Sequence, residues 1–172
     1  MGWYRNWNRF NYIVVYLKGN ILKKKVTEIC LDIALKNLHK HNEQFKHFSF
    51  VIQSNKIIDW STNRTAEPLK HFGYADYTKI HSETDAYRKA KGIMDHTIPF
   101  DVVNIRLSKN GTIRGSCPCK SCFTYLKKLD CREIWFTTDL EVFAEMDVRN
   151  ANLSLLKDFQ GKKISLDTSL PL

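Results

Sequence analysis

Hydrophobic residues recur along this chain with two different periods, and the switches between them mark its elements. Between Val26 and His41 they fall three and four positions apart. Val26, Ile29, Cys30 and Ile33 make one stripe, widened by Leu31, Leu35 and Leu38. That spacing predicts a helix packed on a sheet. Phe48–Gln53 and Ile57–Trp60 are short β-rich runs around Ser54-Asn55, the pattern of a hairpin. The polar stretch STNRTAEPLKHFGYADYTK follows. It is long for a loop in a compact domain, and long loops tend to carry function. A second helix is expected from His81 to Lys91, closed by Gly92 as its C-cap.

Val102–Leu107 reads as a strand, and the turn Lys109-Asn110-Gly111 leads from it towards GSCPCKSC, residues 115–122. A third helix is expected from Pro118, which needs no N–H at a first helical position, to Leu129. Its inner face is Cys122, Phe123, Leu126 and Leu129, and Glu133–Thr138 is the next strand. The order α-β-β-α-β-α-β predicts an α/β fold with a mixed sheet between helices. Beyond Thr138 two continuations compete. Leu140–Val148 can fold back as an antiparallel hairpin partner, which Val142, Phe143 and Val148 favour. Alternatively, residues 153–159 form a crossover helix leading to a parallel strand at 162–166. The hairpin is the reading adopted. Residues 1–20 read as an N-terminal extension with one strand at Tyr12–Leu17, residues 21–150 as the domain, and residues 151–172 as a helix or tail packing on it.

Composition narrows the class. The 172 residues are 43% hydrophobic and 12% aromatic, enough for one domain with its own core and no need of disulfides. Five cysteines is an odd number, and three are bunched, which points to a reduced setting with metal-binding or catalytic thiols. The apolar run Tyr12–Leu17 is too short for a signal-peptide core, and no stretch approaches the ~20 apolar residues that span a bilayer. A soluble, cytoplasmic protein with no membrane partner is expected. The formal charge of +9, from 27 Lys+Arg against 18 Asp+Glu, suits a polyanionic partner, free nucleotide or nucleic acid. Heavy use of Lys, Asn and Ile by an AT-rich genome would give the same balance.

The cysteine cluster adds the chemistry. With Pro118 as the first helical residue, Cys117 is the N-cap, and Cys119 and Cys122 stand in the first two turns. Residues three apart lie about 60° apart around a helix, and residues two apart about 160°. Cys119 and Cys122 can therefore share one ion while Cys117 points elsewhere, and the helix N-terminus favours thiolates. A catalytic zinc takes three protein ligands and keeps one position for water. Upstream, IHSETDAYRKAKG supplies His81 and, two residues on, Glu83. His-x-Glu followed by Pro-Cys-x-x-Cys is the signature of zinc-dependent nucleobase deaminases. An imidazole and two thiolates hold Zn²⁺, which lowers the pKa of bound water from ~15.7 towards ~7. Glu83 beside it can shuttle protons without being a ligand. Cys30 and Cys131 read as ordinary small residues.

Through STNRT, IHSETDAYRKA, CPCKSC and REIWFTT the chain resembles the zinc-dependent cytidine/deoxycytidylate deaminase superfamily, from about Val26 to Thr138. It looks most like small deaminase-domain proteins of bacteriophages. The resemblance implies a three-layer α/β/α sandwich with a central mixed sheet of about five strands and zinc between two helices. It implies a hydrolase acting on the C–N bond of a cyclic amidine, converting a cytosine-type base to uracil with release of ammonia. Carried over, His81, Cys119 and Cys122 bind zinc, Glu83 shuttles protons, and Asn63 contacts the sugar or base of the substrate. Two departures sit near the pocket. Ser82 replaces a common Ala between the His and the Glu, and Cys117 replaces a common Ser, Thr or Glu before the Pro-Cys.

The favoured substrate is deoxycytidylate or a related pyrimidine nucleotide or nucleoside. The alternative is cytosine or adenine in single-stranded DNA or RNA, and a third reading is a non-catalytic zinc protein that binds nucleic acid. Arg64, Lys70 and His71 are candidate phosphate contacts, and Trp60, Phe72, Tyr74 and Tyr77 candidate stacking residues. A homo-oligomer fits the resemblance, with no interface legible in the chain. If phage-encoded, the protein would work in the host cytoplasm.

Overall fold

The computed structural model describes residues 21–40, 45–65 and 79–151. The expected strand at Tyr12–Leu17 and the C-terminal alternative of residues 153–166 lie outside them, as do Lys70, His71, Phe72, Tyr74 and Tyr77.

Helix α1 (Ile21–Lys36) precedes two long strands, β1 (Phe45–Gln53) and β2 (Lys56–Thr62). A short pair follows, β3 (Arg64–Thr65) with β4 (Lys79–Ile80), and β4 runs directly into α2 (Ser82–Ala90). Then come β5 (Phe100–Ser108), the two-residue β6 (Ile113–Arg114), α3 (Lys120–Lys128), β7 (Cys131–Thr137) and β8 (Phe143–Asp147). The main sheet has the order β2-β1-β5-β7-β8, with β6 hooked onto β5 as a sixth strand. β5 and β7 pair in parallel, and the other neighbours pair antiparallel. This is a mixed α/β sheet. After Thr138 the chain folds back as the hairpin, with Thr137 opposite Phe143 and Glu133 opposite Asp147.

Two separate apolar layers hold the sheet. Val26, Cys30, Ala34 and Leu38 of the first helical region pack on Phe48, Phe50 and Ile52 of β1 and on Val103, Ile105 and Leu107 of β5. On the opposite face, Ala86 and Ala90 of α2 and Phe123 and Leu126 of α3 pack on Val51, Val102, Ile134 and Phe136. The period of two along each strand sends alternate residues to these two layers. Central strands covered on both faces are therefore apolar almost throughout.

Several expectations shift in detail. The first helix starts and ends five residues earlier than its pattern suggested, and Leu38–Lys40 tightens into a 3₁₀ turn. Ile29, expected on the inner stripe, is exposed, because the stripe that meets the sheet runs through Val26, Cys30 and Ala34 at intervals of four. The buried Lys46 donates its ammonium to the Leu38 carbonyl and so ties this helix end to β1. The stretch after Trp60 is not wholly loop, since it contains the end of β2 and the β3–β4 pair. Gly92 does not close α2. Lys91 keeps right-handed helical angles, and Met94 donates back to the Ala90 carbonyl at 3.1 Å.

The β1–β2 turn matches the sequence reading. Ser54 and Asn55 both take positive φ, 51° and 61°, as a two-residue hairpin turn requires. Among the described residues, no helix is long and apolar enough to cross a membrane.

Leu126 is fully buried between α3 and the sheet. Leu126→Ala is expected to destabilise the fold by about 2–5 kcal/mol, read from urea denaturation midpoints at constant m-value.

Candidate active site

The site forms where the first turns of α2 and α3 meet above the middle of the sheet. His81 is the N-cap of α2 in extended conformation, φ −71° and ψ 143°. Cys119 is the N-cap of α3, φ −70° and ψ 162°, and its sulfur accepts the Cys122 N–H at 3.4 Å. This corrects the expected helix start. Lys120, not Pro118, is the first helical residue, and Cys117 lies outside the helix. The reason is that the Cys119 sulfur itself satisfies a backbone donor of the first turn, as an N-cap side chain does. A side chain at the N-cap folds over the third helical residue, so Cys119 and Cys122 converge for that reason rather than by helix phase.

His81 Nδ1 lies 3.6 Å from Cys119 Sγ and 3.3 Å from Cys122 Sγ. All three donor atoms fall within 4.8 Å of one another. Tetrahedral zinc with its usual Zn–S and Zn–N bond lengths would set N···S edges of about 3.6 Å. The donor set and its spacing therefore fit zinc. Cys122 donates to Cys119, which holds the Cys119 thiol down at about 5 and lifts that of Cys122. Cys117 stands apart, half-buried against the core layer of α2 and α3. Burial, with the charges of Glu83 and Cys119, pushes its thiol up to about 12. Cys30 and Cys131 are buried in the two layers, and burial raises both thiols.

Glu83 is 7% exposed and faces the sheet. Its Oε2 lies 3.3 Å from Ser82 Oγ, which lies 2.8 Å from Ser49 Oγ. Ser49 Oγ lies 2.8 Å from Asn104 Oδ1, and Asn104 Nδ2 lies 3.4 Å from Glu83 Oε1. The four side chains close a buried ring. Burial lifts the Glu83 carboxyl above the usual range, while the ring supplies a hydroxyl and an amide to its two oxygens.

Ser49 and Asn104 were not singled out from the sequence. They sit directly opposite each other in the β1–β5 register, two positions along from the pair His47–Arg106. The available signal was a polar residue interrupting an otherwise apolar run, FSFVI in β1 and VVNIRL in β5. A polar side chain inside a doubly covered strand must find partners, and here those partners are the site. His47 is held neutral across the ordinary range, pushed down to about 4 by burial and by the charges of Arg106 and His81.

The segment before the cysteines is fixed by its own bonds. Ser116 Oγ donates to the Asn104 carbonyl at 2.8 Å and accepts the Thr137 N–H at 2.8 Å. Gly115 donates to Asp139 at 2.9 Å, and a Cβ there would lie 3.3 Å from that carboxylate.

The remaining candidates are scattered. Ser82 opens α2 and turns its hydroxyl into the ring. Asn63 continues the β1–β2 ladder: its Oδ1 accepts the His47 N–H at 2.9 Å, and its own N–H reaches the His47 carbonyl at 3.1 Å. Arg64 is bound to Asp85, through Nε at 3.2 Å and Nη2 at 3.0 Å. Trp60 packs on Phe48 and Phe50, ring centroids 6.2 and 6.0 Å apart. Those residues face α1, so Trp60 lies across the sheet from Glu83 and is a packing residue. Tyr77 lies outside the described residues.

No protein-family model matches the chain, and no curated protein sequence matches it. Among solved structures it is similar to a dCMP deaminase from the cyanophage S-TIM5. Against the apo form the TM-score is 0.49 at 13% identity, covering 78% of this chain and 92% of that one. Against the complex with dCMP and dUMP the TM-score is 0.46 at 15% identity, covering 64% and 79%.

Asp85 offers a test of the site's framework. Burial pushes its carboxyl up, but hydrogen bonds from Arg64 and Ser61 outweigh that and hold it at about 2. A carboxylate depressed in the folded state stabilises above its unfolded pKa near ~3.9, and that stability is lost as pH falls through the folded value. Between about pH 4 and 2 the wild type is expected to lose on the order of 2 kcal/mol that Asp85→Asn does not, measured as the difference in acid-unfolding curves.

Proposed function

We propose that this chain is a zinc-dependent hydrolytic deaminase that converts a cytosine-type base to uracil with release of ammonia. Its substrate on this reading is deoxycytidylate or a related pyrimidine nucleotide or nucleoside. One observation carries it: an imidazole nitrogen and two sulfurs converge at zinc-like separations, with a buried carboxyl two residues from the imidazole. Three protein donors leave a fourth position for water.

Zinc held by His81 Nδ1, Cys119 Sγ and Cys122 Sγ would act as a Lewis acid and make hydroxide available near neutral pH. The chain's own groups do the rest. Glu83 accepts the proton of the attacking water and delivers it to the ring nitrogen beside the carbon under attack. A proton returned through Glu83 to the amino group lets it leave as ammonia, and a carbonyl replaces it. Ser82, Ser49 and Asn104 fix both oxygens of that carboxyl, so its position is set before substrate arrives. Asn63 and Cys117, and Tyr77 by sequence alone, are the candidates for substrate contact.

A second reading, deamination of cytosine within single-stranded nucleic acid, draws on the formal charge of +9. It draws also on three cations, Arg64, Arg88 and Lys89, gathered around the single carboxylate of Asp85.

Glu83→Gln is expected to abolish ammonia release from dCMP or cytidine while zinc stays near one per chain by elemental analysis. Activity confined to a cytosine-containing oligonucleotide would transfer the assignment to the second reading. Cys119→Ser and Cys122→Ser are expected to lose zinc and Cys117→Ser to retain it, so a zinc-free Cys117 variant would overturn the ligand set.

A further inference from the structure

Asp85 lies one helical turn beyond His81, and its N–H donates to the His81 carbonyl at 3.2 Å. Its carboxylate is 1% exposed, yet it meets groups from three elements. Ser61 of β2 donates to Oδ2 at 2.6 Å. Arg64 of β3 donates Nε to Oδ2 at 3.2 Å and Nη2 to Oδ1 at 3.0 Å. Arg88, on the same helix, donates to Oδ1 at 2.8 Å.

Arg64 has a second attachment. Its backbone pairs with Ile80 of β4, the residue immediately before His81. A closed circuit results: Arg64 to Ile80 through the ladder, Ile80 to His81 through a peptide bond, His81 to Asp85 through one helical turn, and Asp85 back to Arg64 through a two-pronged ion pair. We propose that the Arg64–Asp85 fork is a clamp that positions His81 for metal capture. This rests on the zinc reading above and names positioning residues, not ligands.

Four physical points support the clamp. The β3–β4 ladder is two residues long, too short to fix a backbone direction by itself. His81 is an N-cap whose side chain makes no capping bond, so its own helix end does not orient the ring. A guanidinium bound through two parallel N–H groups constrains angle as well as distance, which a single bond or point charge does not. The carboxylate end is buried and keeps Ser61 and Arg88 if the fork is broken, but neither of these ties α2 to β3.

The sign of the effect separates the clamp from plain electrostatics. Arg64 is a cation near a site for a dication, so removing its charge should by itself leave zinc binding unchanged or make it tighter. Loss of the clamp should weaken it. The test compares wild type, Arg64→Met, Arg64→Lys and Arg88→Met by zinc affinity in competition with a chelator. Circular dichroism and denaturation of the metal-free proteins report on folding. Arg64→Met is expected to bind zinc about 10–100-fold more weakly, the usual effect of losing a group that orients a ligand. Arg64→Lys should fall between, and Arg88→Met should bind as wild type or tighter while losing similar stability. Wild-type affinity in Arg64→Met, or equal weakening in both arginine variants, would overturn the clamp. If Arg64→Met does not fold, Arg64→Lys decides, and wild-type affinity there sinks the idea. A wild type that takes up no zinc overturns the metal reading itself, and the clamp with it, which is a different result from the other two.

Discussion

The parallel pairing of β5 with β7 is the constraint on which the site depends. Two parallel neighbours require a crossover, and α3 is that crossover, running antiparallel to both strands. Its N-terminus must therefore lie towards the C-terminal end of β5. Helix α2 runs the same way over β1 and β2: Ser82 at its start meets Ser49 in mid-strand, and the turn after its end is held by the Gln53 amide at the strand's end. Two helix starts consequently share one end of one sheet. His81 meets Cys119 and Cys122 across separations of 38 and 41 residues because of that arrangement.

Polar groups buried beneath this junction make the arrangement specific. Glu83 stands over Ser49 and Asn104, on adjacent strands at one register position. A slip of β1 by one residue against β5 would send Ser49 to the α1 layer and put a phenylalanine under the carboxyl, opposite an unpartnered Asn104. Asp85 plays a comparable part at the edge of the sheet, where it joins β2, β3 and α2 through bonds that tolerate little displacement. Unsatisfied buried carboxyls are costly, so each of these networks penalises a misplaced α2 more sharply than apolar packing alone would.

Much of the fold could be read in the chain. The order of the long elements, the Ser54-Asn55 turn and the fold-back after Thr138 follow from periodicity, turn residues and β-rich composition, which are local signals. The ligand candidates were also legible, because His-x-Glu and Pro-Cys-x-x-Cys demand unusual residue types at fixed spacing. The helix-phase reason given for the two cysteines was not the operative one. Proline's fitness for a first helical position favoured a start at Pro118, but the Cys119 sulfur offers a cap that a propensity rule for proline does not weigh. Ile29 was misassigned because a stripe read at three-and-four spacing leaves its rotation about the helix axis undetermined by one residue.

Residue types and spacing, then, determined the elements and the candidate groups of the site, since both are encoded within a few neighbouring positions. The partners of those groups were decided only in three dimensions. Ser49, Asn104, Ser61 and Arg64 come to Glu83 and Asp85 through strand register and layer packing, and a single sequence carries no direct mark of which residue will stand opposite which. Strand alternation says only that Ser49 and Asn104 each share a face with some helix. That the helix is α2, and that its first turn presents a carboxyl there, depends on the parallel crossover and the layered packing it imposes.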